Sequence, residues 1–541
     1  IQIAENAPLV EALKDVPQPE RVLAAKLDGR LVPLAFVPER DGRLEWVTYA
    51  DREGREVYRR TLQFILAMAV RELYANSRLA IGHSLGSGIY YDLFLDTPVN
   101  GEILGQIRRR MTEIVARNTP FVRRLVPRAE AAAFFTARAA SDKVRLLENS
   151  DLDEVSIYEN SGWAEIGSHP LAPATGAITR FELKSYSPGF LLLFPSAQDF
   201  TVPTTIGLTA KLFHVYQESQ AWGKIQGVAN VGRLNELNRG GGMSELIKVG
   251  ECLHEKKIAD LADAIAARRG QVRLVMIAGP SSSGKTTLAK RLAIHLRVNG
   301  VRPVMISMDN YFCDRDQCPR DEAGNFDFES LEALDVALFN RQLETLLTGG
   351  EVTLPRFDFI SGKREMNWRP LHLEDDQLMI VEGIHGLNDQ LSAQIPGPSK
   401  FLIYISALTQ LTLDDHNRIS TTDTRMVRRL VRDHKYRGYS AAETLRRFPS
   451  VMRGEEKHIF PFQERADAMF NSALFFELAI LKPLAEPLLA EISPTDPVFS
   501  EAQRLLGFLR LFLPAASDEL PPTSILREFV GGSSFPYGRE K

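Results

Sequence analysis

The sequence predicts an α/β chain in which a parallel-sheet domain follows smaller α+β units, and three observations predict it. An apolar run, Leu274 to Ala278, breaks at Gly279 into a Gly/Ser loop closing on Gly284, Lys285 and Thr286, after which Leu288, Leu292 and Leu296 recur at helical spacing. Three further apolar runs, PVMISM, LMIVEG and KFLIYIS, alternate with helical patterns to about residue 490, as strands buried on both faces of a parallel sheet do. Upstream, short alternating segments from Val22 to about Tyr49 are punctuated by Asp-Gly pairs and read as small β-hairpins.

Between about Glu56 and Gly223 the pattern mixes a helix, Thr61 to Tyr74, with strands that include SGIYYDLFLD and FELKSY. The stretch Arg233 to Met243, with its NELNRGGGM run, reads as a hinge or linker leading to an amphipathic helix from Leu246 to Arg268. After Pro497 come one helical stretch and a Pro/Gly/Ser-rich tail. Residues 82 to 86, GHSLG, formally match a hydrolase nucleophile elbow. That motif needs a strand before it and a helix after it, whereas Ser87 to Asp96 alternates like a strand, so the match is set aside.

At 541 residues and 44% hydrophobic content the chain is long enough for several cores of about 150 residues each. A net charge of −4 argues against a whole-chain nucleic-acid binder, and three cysteines, Cys252, Cys313 and Cys318, are too few for a disulfide framework or a zinc site. The composition fits a reducing cytoplasm. No apolar run approaches the roughly 18 residues of a membrane span.

The G-x-x-x-x-G-K-[ST] pattern carries the chemistry. Polyphosphate oxygens can be wrapped by backbone N–H groups only where little side chain intervenes, so Gly279, Ser281, Ser282, Ser283, Gly284, Lys285, Thr286 and Thr287 form the expected ATP-binding set. Ligands of an open parallel sheet sit beyond the C-terminal ends of its strands, which singles out Asp309 and Glu382 after two of the apolar runs. Glu382 with Thr286 is expected to hold Mg²⁺, and Asp309, with Lys285 the expected catalytic pair, to accept the proton of an acceptor hydroxyl. Arg425, Arg428, Arg429 and Arg432 share one helix face, with Met426, Val427, Leu430 and Val431 on the remaining arc, a pattern suited to a lid that aims guanidinium groups at a triphosphate.

In this order GPSSSGKTT, DNYF, NFDFE, PRFDFISGKR, VEGIHGL and DTRMVRRLVRD resemble the uridine kinase and phosphoribulokinase family of P-loop kinases over about residues 270 to 490. The resemblance implies that Asp309 is the catalytic aspartate and that Asp327 holds ribose hydroxyls. It also implies that Phe312, Phe326, Phe357 and Phe359 wall the acceptor, that Arg425 contacts substrate, and that Arg428, Arg429 and Arg432 belong to the lid. One departure is Gly362, which stands where the nucleoside kinases carry a base-reading histidine, with Lys363 and Arg364 beside it as substitutes for a charged substrate.

The first 225 residues resemble the N-terminal part of threonyl-tRNA synthetases, a β-grasp TGS domain and an editing domain, through RELYANSRLAIG, GIYYDLFLD and GSHPLAPATGAITRFELKS. The histidine and cysteine pairs of such editing domains fall here on Arg60 and Phe64 and on Glu165 and His169, so only His169 survives and the inherited chemistry is expected to be gone. The expected division is a TGS-like domain over 1–55, an editing-like domain over 56–225, a linker and helix over 226–269, a P-loop kinase domain over 270–495, and a C-terminal helix and tail over 496–541. The expected function is ATP- and Mg²⁺-dependent phosphorylation of a small-molecule hydroxyl, the 5′-OH of a nucleoside above others. The alternatives are a TGS-containing regulatory P-loop GTPase, which lacks the N-K-x-D guanine reader here, or an RNA-linked nucleotide switch. RNA contact by the N-terminal region and homo-oligomerisation are left open.

Overall fold

The computed structural model describes residues 7–537 except 17, 19, 20, 168, 204–206, 208, 209, 322, 323, 325, 359 and 360. The predicted hairpins form an antiparallel sheet in the order β2-β1-β3, from β1 (Val22–Leu27), β2 (Arg30–Val32) and β3 (Leu44–Thr48). Asp28 and Gly29, both at positive φ, make the two-residue turn that joins β1 to β2. The helix α1 (Arg52–Leu73) starts at Arg52 rather than Thr61, because Val57 and Tyr58, each 1% exposed, extend its buried stripe toward the N-terminus.

That stripe packs on one face of a four-stranded antiparallel sheet containing β4 (Arg78–Leu85) and β5 (Gly88–Phe94). GHSLG closes the β4–β5 hairpin, strand on both sides, and the Ser84 hydroxyl donates to Gly88 O at 3.2 Å. There follow α2 (Gly101–Ala116), β6 (Val122–Pro127), α3 (Arg128–Thr136), α4 (Ser141–Glu148), β7 (Glu154–Asn160) and β8 (Trp163–Ile166), with β6, β7 and β8 in a separate antiparallel sheet. β9 (Glu182–Tyr186) and β10 (Gly189–Leu193) complete the four-stranded sheet in the order β4-β5-β10-β9.

α5 (Ala210–Gln226), α6 (Val231–Arg239) and α7 (Met243–Ala266) lead into the second half. The expected hinge is largely helix: α6 takes up most of it, and Leu234 and Asn235 are both 0% exposed. Asn235 shows why the sequence misleads. Its polar side chain is consumed internally, donating to Asn149 O at 2.8 Å and Leu511 O at 2.7 Å and accepting from Leu513 N at 3.0 Å.

The second half is a mixed α/β unit around a five-stranded sheet, ordered β12-β15-β11-β16-β17, in which every pairing is parallel. Its elements are β11 (Leu274–Ala278), α8 (Lys285–Val298), β12 (Arg302–Ser307), α9 (Val336–Leu347), β13 (Glu351–Asp358), β14 (Lys363–His372), β15 (Gln377–Glu382), β16 (Lys400–Ser406), α10 (Thr421–Arg437), α11 (Ala441–His458), β17 (Ala468–Asn471), α12 (Glu477–Ala490), α13 (Phe499–Leu509) and α14 (Arg527–Val530). The four predicted apolar runs are four of the five strands. Central β11 is at most 1% exposed along its length, and each large apolar side chain so buried contributes about 1.5–3 kcal/mol. The segment after α13 is no loose tail, since Ile525, Leu526 and Phe529 are 0% exposed and share a core with α8 and α10. No helix among the described residues is long and apolar enough to cross a membrane.

Candidate active site

The loop between β11 and α8 is built by its glycines. A Cβ on Gly279 would lie 1.9 Å from Ile405 O on the neighbouring strand, and Gly284 adopts φ +89° where the loop turns into the helix. Ser282 also takes positive φ, at 61°, which curls the intervening backbone into a cradle at the α8 N-terminus. Lys285 opens α8 and folds back over this cradle, its Nζ donating to Gly279 O at 3.0 Å and Pro280 O at 3.1 Å. Burial pushes its pKa down, while the carboxylates of Glu382, Asp309, Glu528 and Glu329 hold it up.

Strand register places two of those acids, Glu382 and Asp309. Glu382 ends β15 opposite Ile277 on one side and Ser307 on the other, so it lies at the C-terminal end of the sheet, as the loop after β11 does, and the Ser307 hydroxyl donates to it at 2.8 Å. Asp309 follows two residues after Ser307, in the 3₁₀ turn Met308–Tyr311. Burial and then the Asp309 charge raise the Glu382 carboxyl, with Lys285 and Ser307 acting against them. Glu329 is pushed up to about 7, first by burial and next by Glu455. The Glu382 and Asp309 carboxylates near the Lys285 ammonium are hard oxygen donors of the kind that would suit a divalent cation such as Mg²⁺. No cluster of three metal-ligating side chains exists among the described residues.

The arginine helix differs from expectation. Arg425, Arg428 and Arg429 point inward: Arg425 is 2% exposed and Arg428 0%. Arg425 donates from Nε to Ser281 O at 3.0 Å and pairs with Glu455, whose carboxylate also accepts from Ser281 N at 3.0 Å. Arg429 donates to Ser281 Oγ at 2.8 Å and pairs with Asp433 at 3.1 Å. Arg428 is locked in a buried pair with Glu477 and donates to Ser472 O at 2.8 Å, while Arg432 pairs with Asp433 at 2.7 Å. In this conformation the stripe is therefore turned onto Ser281 and buried acids instead of aiming outward as a lid. Acids distant in sequence, Glu455 and Glu477, neutralise it.

The structure brings Phe312 and Phe357 together, ring centroids 5.6 Å apart, in the core beside Tyr311 and Leu334. Phe326 is partly buried against the same core under the Arg320 guanidinium, 4.2 Å from its ring centroid. Phe359 lies outside the described residues. Asp327 Oδ1 accepts from Glu329 N at 3.1 Å, a turn that delivers Glu329 to the acidic cluster. Gly362, at φ +70° in the β13–β14 turn, would set a Cβ 2.8 Å from the Arg315 guanidinium, so a histidine there is strained and crowded. Lys363 and Arg364 do not stand in as free charges, since Lys363 pairs with Asp314 and Asp316 at 3.2 Å and Arg364 with Asp335 at 3.1 Å.

Thr287, expected among the phosphate ligands, faces the other way. Its hydroxyl lies 2.6 Å from both Glu528 Oε2 and the Tyr537 hydroxyl, and a Cβ on Gly284 would touch Ile525 Cγ2 at 2.7 Å. Segment 520–537 thus buttresses the loop and α8. Sequence reasoning missed Glu455, Glu528 and Ser307. Glu329 was visible inside NFDFE, but its role emerges only from the fold.

Comparison with known proteins bears on both halves. Residues 274–475 match the model of the Phosphoribulokinase / Uridine kinase family. The N-terminal half is similar to threonine–tRNA ligases: that of Symbiobacterium thermophilum is 41% identical over 164 residues, 30% of this chain and 25% of that protein, and that of Burkholderia lata is 36% identical over 162 residues, 30% and 26%. The chain spans about a quarter of the length of these curated relatives. A solved structure described as a possible uridine kinase from Bacillus stearothermophilus is 21% identical, covers 40% of this chain and 98% of its own, and superposes with a TM-score of 0.28. One polypeptide thus joins a region similar to the editing part of threonine–tRNA ligases to a segment, residues 274–475, that matches the model of the Phosphoribulokinase / Uridine kinase family.

Proposed function

We propose that the chain is a phosphotransferase that moves the γ-phosphoryl group of ATP to a hydroxyl of a small molecule, with the 5′-OH of a nucleoside as the preferred acceptor. The observation that carries this reading is the parallel register that sets Lys285, Glu382 and the turn bearing Asp309 at the C-terminal end of one sheet, with the loop. Loop amides from Ser281 to Thr286 and the Lys285 ammonium bind and orient the phosphates, the part of phosphoryl transfer that depends on positioning. Asp309 aligns the acceptor hydroxyl and takes its proton at a carboxylate oxygen. Thr286 and Glu382 would hold Mg²⁺, which when bound neutralises phosphate charge. Phe312, Phe326 and Phe357 exclude water from the acceptor side. Support for a nucleoside comes from the family match over residues 274–475. Gly362 and the paired Lys363 and Arg364 leave base discrimination to other groups, so a broad acceptor range is expected.

The test is ADP release across a panel of nucleosides and sugar alcohols with Mg-ATP. Asp309→Asn is expected to lower turnover on the best acceptor by about 10²–10⁴-fold, the contribution of a positioned base. Lys285→Ala is expected to lower it by at least about 10²-fold through lost charge stabilisation. Turnover unchanged in either variant overturns that residue's assignment, and no ADP release with any acceptor overturns the proposal.

A further inference from the structure

Residues 520–537 are folded onto the helix that opens at the phosphate loop, and they carry more chemistry than a buttress needs. Gly531 and Gly532, at φ +93° and +71°, turn the chain back after α14. The Ser533 hydroxyl and Ser534 N then donate to Pro522 O at 3.2 and 2.9 Å, which ties the turn down. The return brings Pro536 and Tyr537 onto the first two turns of α8. Lys290 Nζ donates to Pro536 O and lies 5.0 Å from the Tyr537 ring centroid, and the Tyr537 hydroxyl meets that of Thr287 at 2.6 Å. From the other side Tyr436, in the last turn of α10, sets its ring centroid 6.5 Å from that of Tyr537, the two planes tilted by 51°. That spacing is at the upper end of direct ring pairing, about 4.5–7 Å, and Tyr436 is 39% exposed, so the pair edges an opening rather than filling a core.

Glu528 stands beside the two rings. Burial and then the Glu528 charge push both tyrosine hydroxyls upward, and the same carboxylate is one of the acids that act on Lys285. It accepts from the Thr287 hydroxyl at 2.6 Å. An ionised carboxylate has about four acceptor positions, so it has room for more donors. A negative charge next to a phosphate cradle repels phosphate oxygens. The ligand groups that suit it are neutral hydroxyls, such as the pair a ribose presents.

The direction of a bound triphosphate puts these groups at its nucleoside end. Asp309 and Glu382 lie on the acceptor side, so the reacting phosphoryl group points toward them, and the nucleoside leaves the cradle over the first turn of α8. There Thr287 follows the loop, and Glu528 and Tyr537 stand over it. Every base has a π-face, so exposed rings at this point grip a base whatever its edge.

We propose that Glu528, Tyr436 and Tyr537 form the nucleoside half of the donor site: the base stacks on the two rings and the ribose hydroxyls donate to the Glu528 carboxylate. Glu528 and Tyr537 lie beyond the segment that matches the family model. Resting on the reading of the loop as an ATP site, the assignment adds the part of the chain that selects a nucleotide over bare polyphosphate.

Calorimetric titration of the full chain without acceptor, using Mg-ATP, Mg-2′,3′-dideoxy-ATP and Mg-tripolyphosphate, separates the two claims. Mg-ATP is expected to bind at least about tenfold more tightly than Mg-tripolyphosphate, and about fivefold more tightly than the dideoxy nucleotide. Tyr436→Ala is expected to weaken Mg-ATP at least about fivefold while leaving Mg-tripolyphosphate within about twofold, a split that a merely structural role of the ring would not produce. In Glu528→Gln, which keeps an oxygen for Thr287, the gap between Mg-ATP and the dideoxy nucleotide is expected to close to within about twofold, and Mg-tripolyphosphate to bind no more weakly. A melting curve checks the fold of each variant. Mg-ATP binding no tighter than Mg-tripolyphosphate, a Tyr436→Ala effect that is absent or equal on both, or an undiminished gap in Glu528→Gln overturns the assignment. If Mg-tripolyphosphate binds and is lost in Lys285→Ala while these outcomes hold, the loop reading stands and the nucleoside half alone is wrong; if no probe binds, both fall.

Discussion

Glu455 gives the sharpest test of how the loop is held. Its carboxylate bridges the Ser281 amide, at 3.0 Å, and the Arg425 guanidinium, with the two side chains 1% and 2% exposed. In Glu455→Gln the loop amide keeps an oxygen acceptor, but the guanidinium loses its counter-charge. Breaking a buried pair from one side costs about 3–5 kcal/mol, and the bond from Arg425 to Ser281 O remains, so we take the lower end. At roughly 2–4 °C per kcal/mol for a unit of about 200 residues, the melting temperature of the unliganded chain falls by roughly 6–12 °C. A triphosphate in the loop returns an anion to that guanidinium without displacing a resident carboxylate. A charge-assisted bond contributes about 1.5–3 kcal/mol, so Mg-ATP binds the variant about 10- to 100-fold more tightly than the original chain. Thermal melts with and without Mg-ATP and calorimetric titration read both quantities. An unliganded melting temperature equal to that of the original chain, or weaker ATP binding, would refute the reasoning.

Two further substitutions probe the same scaffold. Glu329 has its carboxyl pushed up to about 7 from an ordinary 4.5, so its contribution to stability is complete below about 4.5 and is lost as pH rises through about 7; Glu329→Gln should therefore melt higher than the original chain at pH 8 and together with it at pH 4.5, and parallel melting curves across that window would count against the burial assigned to it. Asn235→Ala strands the Asn149 and Leu511 carbonyls and the Leu513 amide, which it bridges at 2.7–3.0 Å, and should cost about 2–4 kcal/mol in denaturant unfolding, a loss under about 1 kcal/mol contradicting its bridging role.

The sheet was legible because its strands are continuous apolar runs with no polar alternation, so period alone separated them from the amphipathic helices. The loop was legible because Gly279 and Gly284 answer steric demands that no other residue meets. Asp309 and Glu382 were singled out by their place at the end of apolar runs that are strands in the fold. What stayed hidden was determined by partners far along the chain. The facing of the arginine helix depends on Glu455 and Glu477, and that of Thr287 on Glu528, 241 residues away, and no local pattern encodes such pairs. The hinge reading failed for the same reason: NELNRGGGM is polar, and only tertiary hydrogen bonds reveal that Asn235 is interior.

The contact between Thr287 and Glu528 also sets an order in time. The two residues are 241 positions apart, which at about 5–20 residues per second is roughly 12–48 s of synthesis. Throughout that interval a growing polypeptide displays the whole glycine-serine signature on a helix that lacks this contact. Maturation of the hollow is thereby tied to translation of the strand of residues that closes over its rear wall.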